Sequence, residues 1–160
     1  TDSAGNDVSL KDFKGKIVVL EWLNPDCPFV QRHYKAGTMK NLATRYGDDG
    51  VVWLTINSTN YMDRDANAAF AKKENVSWPL LVDQDGTVGH AYDAKTTPHM
   101  YIIDPAGVLV YMGGIDSIRS SNPDDIPAAT PYIKNALKAL ADGKPITDNV
   151  TQPYGCSVKY

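Results

Sequence analysis

Apolar residues recur along this chain in two alternating periods, and each changeover marks an element. Lys16–Trp22 (KIVVLEW) is a nearly continuous apolar run, bounded by Lys14-Gly15 before it and Asn24-Pro25 after it, which is the pattern of a buried strand. From Pro28 to about Tyr46 the spacing turns helical through Val30, His33, Tyr34, Leu42 and Tyr46. Pro28 suits a first turn there, and Gly47 and Gly50 close the segment. Val51–Asn57 (VVWLTIN) predicts a second strand, and Asp63–Asn75 a short helix with Ala66, Ala69, Phe70 and Lys73 at helical offsets. Leu80–Val82 predicts a short strand ended by the Asp85-Gly86 turn. Met100–Ile103 and Val108–Met112 flank Asp104-Pro105-Ala106-Gly107, a hairpin connection. Pro131–Ala141 predicts a last helix with Ile133, Ala136, Leu137 and Leu140 on its apolar face, stopped by Gly143. Residues 144–160 carry two prolines and no periodicity, so they are expected to wrap the surface as an extended tail.

Strands joined by helices, followed by a hairpin and a closing helix, predict an α/β fold with a central mixed β-sheet flanked by helices. The first strands are expected to run parallel, with the hairpin adding an antiparallel edge. The expected organisation is one domain over 1–160, with 144–160 as its C-terminal tail.

Composition narrows the classes. A chain of 160 residues can bury about two thirds of the surface its unfolded form exposes, so it needs no metal or disulfide to sustain a core. Apolar residues at 42% and charged residues at 22% exclude a disordered chain, and no apolar run approaches the ~20 residues of a transmembrane segment. A net charge of -3 with no basic run argues against a nucleic-acid partner. The acids are nearly all Asp, which favours turns and helix caps. Glu21, inside an apolar strand pattern, stands apart; it is either an outward-facing surface acid or a buried carboxyl. The aromatic residues Trp22, Trp53, Trp78, Tyr92 and Tyr101 read as core or pocket wall.

The only cysteines, Cys27 and Cys156, are too few for a disulfide scaffold or a structural zinc site, and no CxxC is present. Cys27 sits where the first strand gives way to the first helix. A thiol there meets the positive end of the helix dipole and unpaired N–H groups, which favour the thiolate. Asp26 works against this unless it turns away to cap the helix, while Arg32 and Lys35 are placed to offset it in part. The site also falls at the carboxyl end of a strand, where open α/β sheets place ligands. Thr96-Thr97-Pro98, directly before an apolar strand, is a second signal.

Taken together, VSLKDFKGKIVVLEW (8–22), NPDCPFVQRHY (24–34), DGTVGHAYDAKTTPHMYIID (85–104) and PYGCSVKY (153–160) resemble the thioredoxin fold in its redoxin branch, the AhpC/TSA and TlpA-like proteins. The resemblance implies a thiol–disulfide oxidoreductase with Cys27 as nucleophile. Pro98 would be the cis-proline beside the sulfur, and Glu21 the buried acid that moves protons for the thiols. Asn24, Pro28, Phe29, Thr97 and His99 would line the substrate pocket. The opening segment matches a redoxin N-terminal hairpin already under way at Thr1, which implies an upstream strand. Cys27-Pro28-Phe29-Val30 lacks the second thioredoxin cysteine, so a dithiol mechanism within this loop is excluded. Asn24 stands where a peroxiredoxin carries Thr or Ser, although an Asn amide can still donate to a peroxide.

Cys156, in the tail, has three readings under this resemblance. It resolves a mixed disulfide or sulfenate on Cys27, or it forms a static bridge worth on the order of 4–5 kcal/mol, or it is unrelated to Cys27. Two other activities stay open: a peroxiredoxin-like hydroperoxide reductase using the same thiols, and a Sco-type copper-binding module built on Cys27, His33 and His99. The expected partners are a thiol or disulfide substrate, protein or small molecule, and a reductant of unassigned identity, with no resident cofactor. A monomer and a homodimer are both compatible with the chain. Redoxins of this type point to a periplasmic or exported setting, with the cytoplasm left open.

Overall fold

The computed structural model describes all 160 residues. Its frame is a five-stranded sheet in the order β3-β2-β1-β5-β6. Here β1 is Val18–Trp22, β2 Val52–Asn57, β3 Leu80–Val82, β5 His99–Ile103 and β6 Leu109–Gly113. β1 pairs parallel with β2 and antiparallel with β5, so the hairpin docks against the first strand and leaves β6 at the edge. A second, two-stranded sheet joins β4 (Thr96–Thr97) to β7 (Cys156–Ser157). The helices are α1 (Pro28–Lys35), α2 (Thr38–Gly47), α3 (Arg64–Glu74), α4 (Thr87–Ala91) and α5 (Tyr132–Ala141). The mixed α/β architecture is the expected one.

All five residues of β1 are buried because β1 is the central strand and both of its faces are covered. Alternation sends Val18, Leu20 and Trp22 into one core with Leu54, Ile56 and Tyr101. Val19 points into the other, with Met39, Trp53, Ile133 and Leu137. Glu21 shares the face of Val19 and is fully buried there. The surface reading of this acid is thereby excluded.

Two expectations are corrected, and two segments that the periodicity leaves open are filled in. The helix expected over 28–46 is two helices, because Gly37 adopts φ 73°, a left-handed conformation that no continuous helix accommodates. No strand precedes Val18; the expected N-terminal hairpin is instead a 3-10 turn at Leu10–Phe13, capped by Ser9 and Asp12, while Asp2 bridges to Leu81. The chain at 87–91, which shows too few positions for a helical period, forms α4, whose first amides at Val88 and Gly89 are held by the buried Asp83 carboxylate.

The tail, finally, is extended but fastened rather than loosely laid. Asn149 and Thr151 hydrogen-bond the backbone of Met112. Tyr154 is buried, and Asn60 holds the last two residues by donating its backbone N–H to the Lys159 carbonyl and its side-chain amide to the Tyr160 carbonyl.

A Cβ at Gly37 would meet only ordinary contact with Asn41, so the cost of a side chain there is conformational. Gly37→Ala is expected to lower the unfolding free energy by about 1–2 kcal/mol without altering the thiol site, as measured by urea denaturation.

Candidate active site

Cys27 is the N-cap residue of α1, with extended backbone angles and no side-chain cap, and Pro28 fills the first helical position. Its side chain is 1% exposed, against Leu23 and Val30, with Phe29, Tyr34, Phe70 and Cys156 around this small cluster. The thiol lies 3.0 Å from the carbonyl oxygen of Thr97, to which it donates when protonated. The Thr97-Pro98 bond is cis. Thr97 is in register with Cys156 across the β4–β7 pair, which brings the tail thiol to the first one. Both cysteines are free thiols.

The two sulfurs titrate as a pair with opposite shifts. Burial pushes the Cys27 thiol up, but hydrogen bonds directed at its sulfur by the Cys156 side chain, Thr97, and the N–H groups of Cys156 and Val30 outweigh burial and hold it below the ordinary thiol range. Cys156 is pushed up to about 11, first by burial and then by its hydrogen bond to Cys27 and the charge of that sulfur. Cys27 is therefore the first to ionise.

A second polar centre lies beneath. Trp53 Nε1 and Thr55 Oγ1 donate to Glu21 Oε2 at 2.9 and 3.0 Å, and Trp78 Nε1 donates to Thr55 at 2.8 Å. Burial raises the Glu21 pKa to about 7 against these donors and the Tyr34 hydroxyl, which lower it. Tyr34 thus touches both centres, packing on the Cys27 cluster and facing the carboxyl. It also lines a groove of 640 Å³ running beside the Cys27 loop with Pro25, Pro28, Gln31 and Phe70.

A third centre fixes the tail. The Arg32 guanidinium, with the residue 1% exposed, donates to the carbonyls of Ile118 and Ser120 at 2.8 Å each, to the Tyr154 hydroxyl at 3.1 Å and to Asp116 Oδ2 at 3.3 Å. Tyr154 in turn donates to Asp116 Oδ1 at 2.6 Å. With that proton committed, the contact of 3.2 Å between Tyr154 and His33 Nε2 makes the histidine the donor. Burial lowers the His33 pKa to about 4, so it is neutral in this role.

Several expected site residues are placed otherwise. Asn24 is buried; its amide donates to the Tyr61 hydroxyl and its Oδ1 accepts from the Asp26 N–H, which turns the side chain towards Tyr61. Asp26 does not cap α1; its carboxylate accepts from Tyr61. Arg32 turns to Asp116 instead of offsetting Asp26. His99 faces the core of Trp22 and Tyr101, with Nδ1 3.0 Å from the Tyr101 hydroxyl, whereas His33 lies on the Tyr154 side of the sheet. No three His, Cys, Asp or Glu side chains gather as a metal-ligand set, and the Cys27, His33, His99 grouping does not form. Pro28 is exposed at the helix start, and Phe29 packs edge-on against Tyr154 at 5.9 Å. Arg32, Tyr34, Asp116 and Tyr154 were not among the expected site residues. The available signal was an Arg on the apolar face of a short helix.

The profile of the AhpC/TSA family matches residues 1–112. The thiol-disulfide oxidoreductase ResA of Bacillus subtilis is 28% identical over 109 residues, which cover 68% of this chain and 59% of ResA. The chain thus spans less than two thirds of that curated relative. Among solved structures, an uncharacterized conserved protein from Geobacillus kaustophilus superposes with a TM-score of 0.87 at 31% identity, covering 100% of this chain and 86% of its own. The fold also matches a secreted Mycobacterium tuberculosis disulfide oxidoreductase homologous to E. coli DsbE, with a TM-score of 0.59 at 23% identity over 68% of this chain and 77% of that one.

Two outcomes follow from the buried charges. Glu21 titrates at about 7 when folded and at its ordinary 4.5 when unfolded, so the native state binds more protons between those values. The Glu21 contribution to stability is therefore greatest below about pH 4.5, falls as pH rises to about 7, and stays lower by about 3 kcal/mol beyond. His33 and His99, both lowered to about 4 by burial, instead add stability that is lost as pH falls from about 6.5 to 4. Glu21→Gln retains an acceptor for Trp53 and Thr55 but cannot ionise. Denaturant titrations of both proteins are expected to show a difference that is small at about pH 5 and grows by about pH 8 to a gain approaching that figure over the wild type. Asp116→Ala leaves Arg32 buried without its counter-charge and is expected to cost about 3–5 kcal/mol. Amide exchange should accelerate first at residues 154–158, which the network anchors.

Proposed function

This chain belongs to the AhpC/TSA family, and from that premise we propose that it is a thiol–disulfide oxidoreductase whose working couple is Cys27 and Cys156. The observation that carries this reading is the ordered pair of thiols, one shifted down at a helix start and the other shifted up on a strand paired beside it. In the reduced protein no covalent bond holds the C-terminal strand on β4; once that strand lifts, the Cys27 thiolate attacks a substrate disulfide, forms a mixed disulfide and expels the substrate's other sulfur as a thiolate that takes up a proton. Bond formation removes the negative charge from Cys27, and with it one of the causes that hold the Cys156 proton. Cys156 then loses its proton and attacks the Cys27 sulfur. The second substrate thiolate departs and leaves the Cys27–Cys156 disulfide; two electrons have passed to the substrate.

In this scheme Glu21 supplies or accepts the proton. It has the pKa for exchange near neutrality, and Tyr34 is the side chain that touches both the carboxyl and the thiol cluster. Thr97 and Pro98 position the Cys27 sulfur, through the Thr97 carbonyl. The couple suits an exported, oxidising compartment, where such a disulfide persists. Hydroperoxide reduction is less well supported, because Asn24 is already committed to Tyr61 and Asp26. Copper binding lacks a gathered set of ligands.

A graded glutathione redox titration, read by intact mass and thiol count, tests this. The expected result is an intramolecular disulfide that forms and reduces reversibly at a potential above about -300 mV, and that is lost in both Cys27→Ser and Cys156→Ser. A bridge resisting reduction below that value, or thiols that never pair, would overturn the proposal.

A further inference from the structure

The strand that carries Cys156 also covers Cys27. β7 pairs antiparallel with β4, Thr97 to Cys156 and Thr96 to Ser157, and Val158 extends the contact through its N–H to Lys95. The edge of β4 next to Cys27 is thus already occupied by the chain's own C-terminus. An extended peptide that would add to this edge finds its hydrogen-bonding groups taken. The fit is close: a Cβ at Gly155, where φ is 143°, would overlap the Thr97 carbonyl, so the tail lies directly on the backbone that touches the Cys27 sulfur. Cys27 is 1% exposed, whereas Cys156 is partly open and Ser157 beside it is exposed.

We propose that Cys156 is the entry sulfur for the reductant: a dithiol regenerates the enzyme by attacking Cys156 of the Cys27–Cys156 disulfide, and the partner docks on the C-terminal strand rather than on the Cys27 loop. The proposal rests on the redox couple described above and names the partner of that site. In the first step one thiolate of the dithiol bonds to the Cys156 sulfur, the protein disulfide breaks, and Cys27 departs as a thiolate. In the second, the other thiolate of the dithiol attacks its own sulfur held on Cys156. That closes the dithiol into a disulfide and releases Cys156, which takes up a proton. The dithiol is oxidised by two electrons and the protein disulfide is reduced by two.

Exchange depends on which sulfur can be reached and on which leaves more readily, and both point the same way here. Cys156 is the accessible sulfur, and Cys27 is the sulfur that departs with a thiolate stabilised by its surroundings. Entry at Cys27 would instead require the tail to lift and would expel the poorer leaving group.

The test uses oxidised wild-type protein and glutathione as a monothiol probe. Intact mass first establishes that the starting protein lacks two hydrogens. After brief exposure to glutathione, acid quenching and alkylation of free thiols, peptide mapping locates the glutathione. The expected result is glutathione on Cys156 and the alkyl group on Cys27, in at least roughly tenfold excess over the reverse. In Tyr154→Ala, whose tail loses its buried anchor, this preference is expected to fall towards one. Glutathione on Cys27, or shared equally in the wild type, would overturn the proposal while leaving the redox couple intact. A starting protein that cannot be brought to the oxidised mass would overturn the couple, and this inference with it. The wild-type map decides the matter even if Tyr154→Ala does not fold.

Discussion

A guanidinium buried without water must find its partners inside the protein, and the way Arg32 does so organises the thiol site. A charge in that position costs several kcal/mol of lost hydration unless a counter-charge and hydrogen bonds replace it. The replacements come from parts of the chain far apart in sequence: the carbonyls of Ile118 and Ser120, the Asp116 carboxylate, and the hydroxyl of Tyr154. Satisfying one side chain therefore joins three segments, the helix that begins at Cys27, the loop after β6, and the C-terminal tail. Tyr154 is two residues from Cys156, with only Gly155 between them. Arg32, five residues on from Cys27, thus helps to fix both members of the pair from a single point. His33 reinforces the arrangement as a neutral donor to the same hydroxyl.

Glu21 faces the opposite problem, since its carboxyl lies in a core where ionisation is penalised. Trp53 and Thr55 hydrogen-bond one oxygen, but the other, Oε1, has no partner apart from the approach of Tyr34. The donors are too few to hold a full negative charge comfortably and too many to make the group inert. A carboxyl balanced in this way gains or loses its proton near neutrality. The instability it brings to the fold above its pKa accompanies the capacity to exchange a proton under the thiol site.

Much of the frame could be read from periodicity. The buried run at 18–22, the strand at 52–57 and the apolar face of α5 each repeat with a period that only one element satisfies. The helix start at Cys27 was legible for the same reason, since Pro28 and the end of an apolar strand bracket it. What escaped was set by tertiary partners. Gly37 could have been a tolerated helical glycine; local spacing does not reveal that it takes the left-handed conformation and divides α1 from α2. Arg32 on an apolar face could have been a surface residue reaching out, and only Asp116, more than eighty residues later, turns it inward. His33 and His99 looked like candidates for one site, but strand alternation puts His99 with Tyr101, and the helix carries His33 to the other face. Distances of this kind do not appear in local patterns.

The spacing of the two cysteines also has a physical sense. In a CxxC loop, one helix turn holds both sulfurs and a single dipole acts on both. Here the second thiol comes from a strand whose position depends on pairing with β4 and on Tyr154, and its hydrogen bond to the Cys27 sulfur is the first of the contacts that lower that thiol. That shared contact shifts one thiol down while it shifts the other up. The coupling between them is then electrostatic and reversible: charge on Cys27 holds the proton on Cys156, and loss of that charge lets it go. A fold that has given up the second loop cysteine can in this way recover ordered two-thiol chemistry from its tail, provided the tail is anchored as firmly as the helix, which is the task of the Arg32 network.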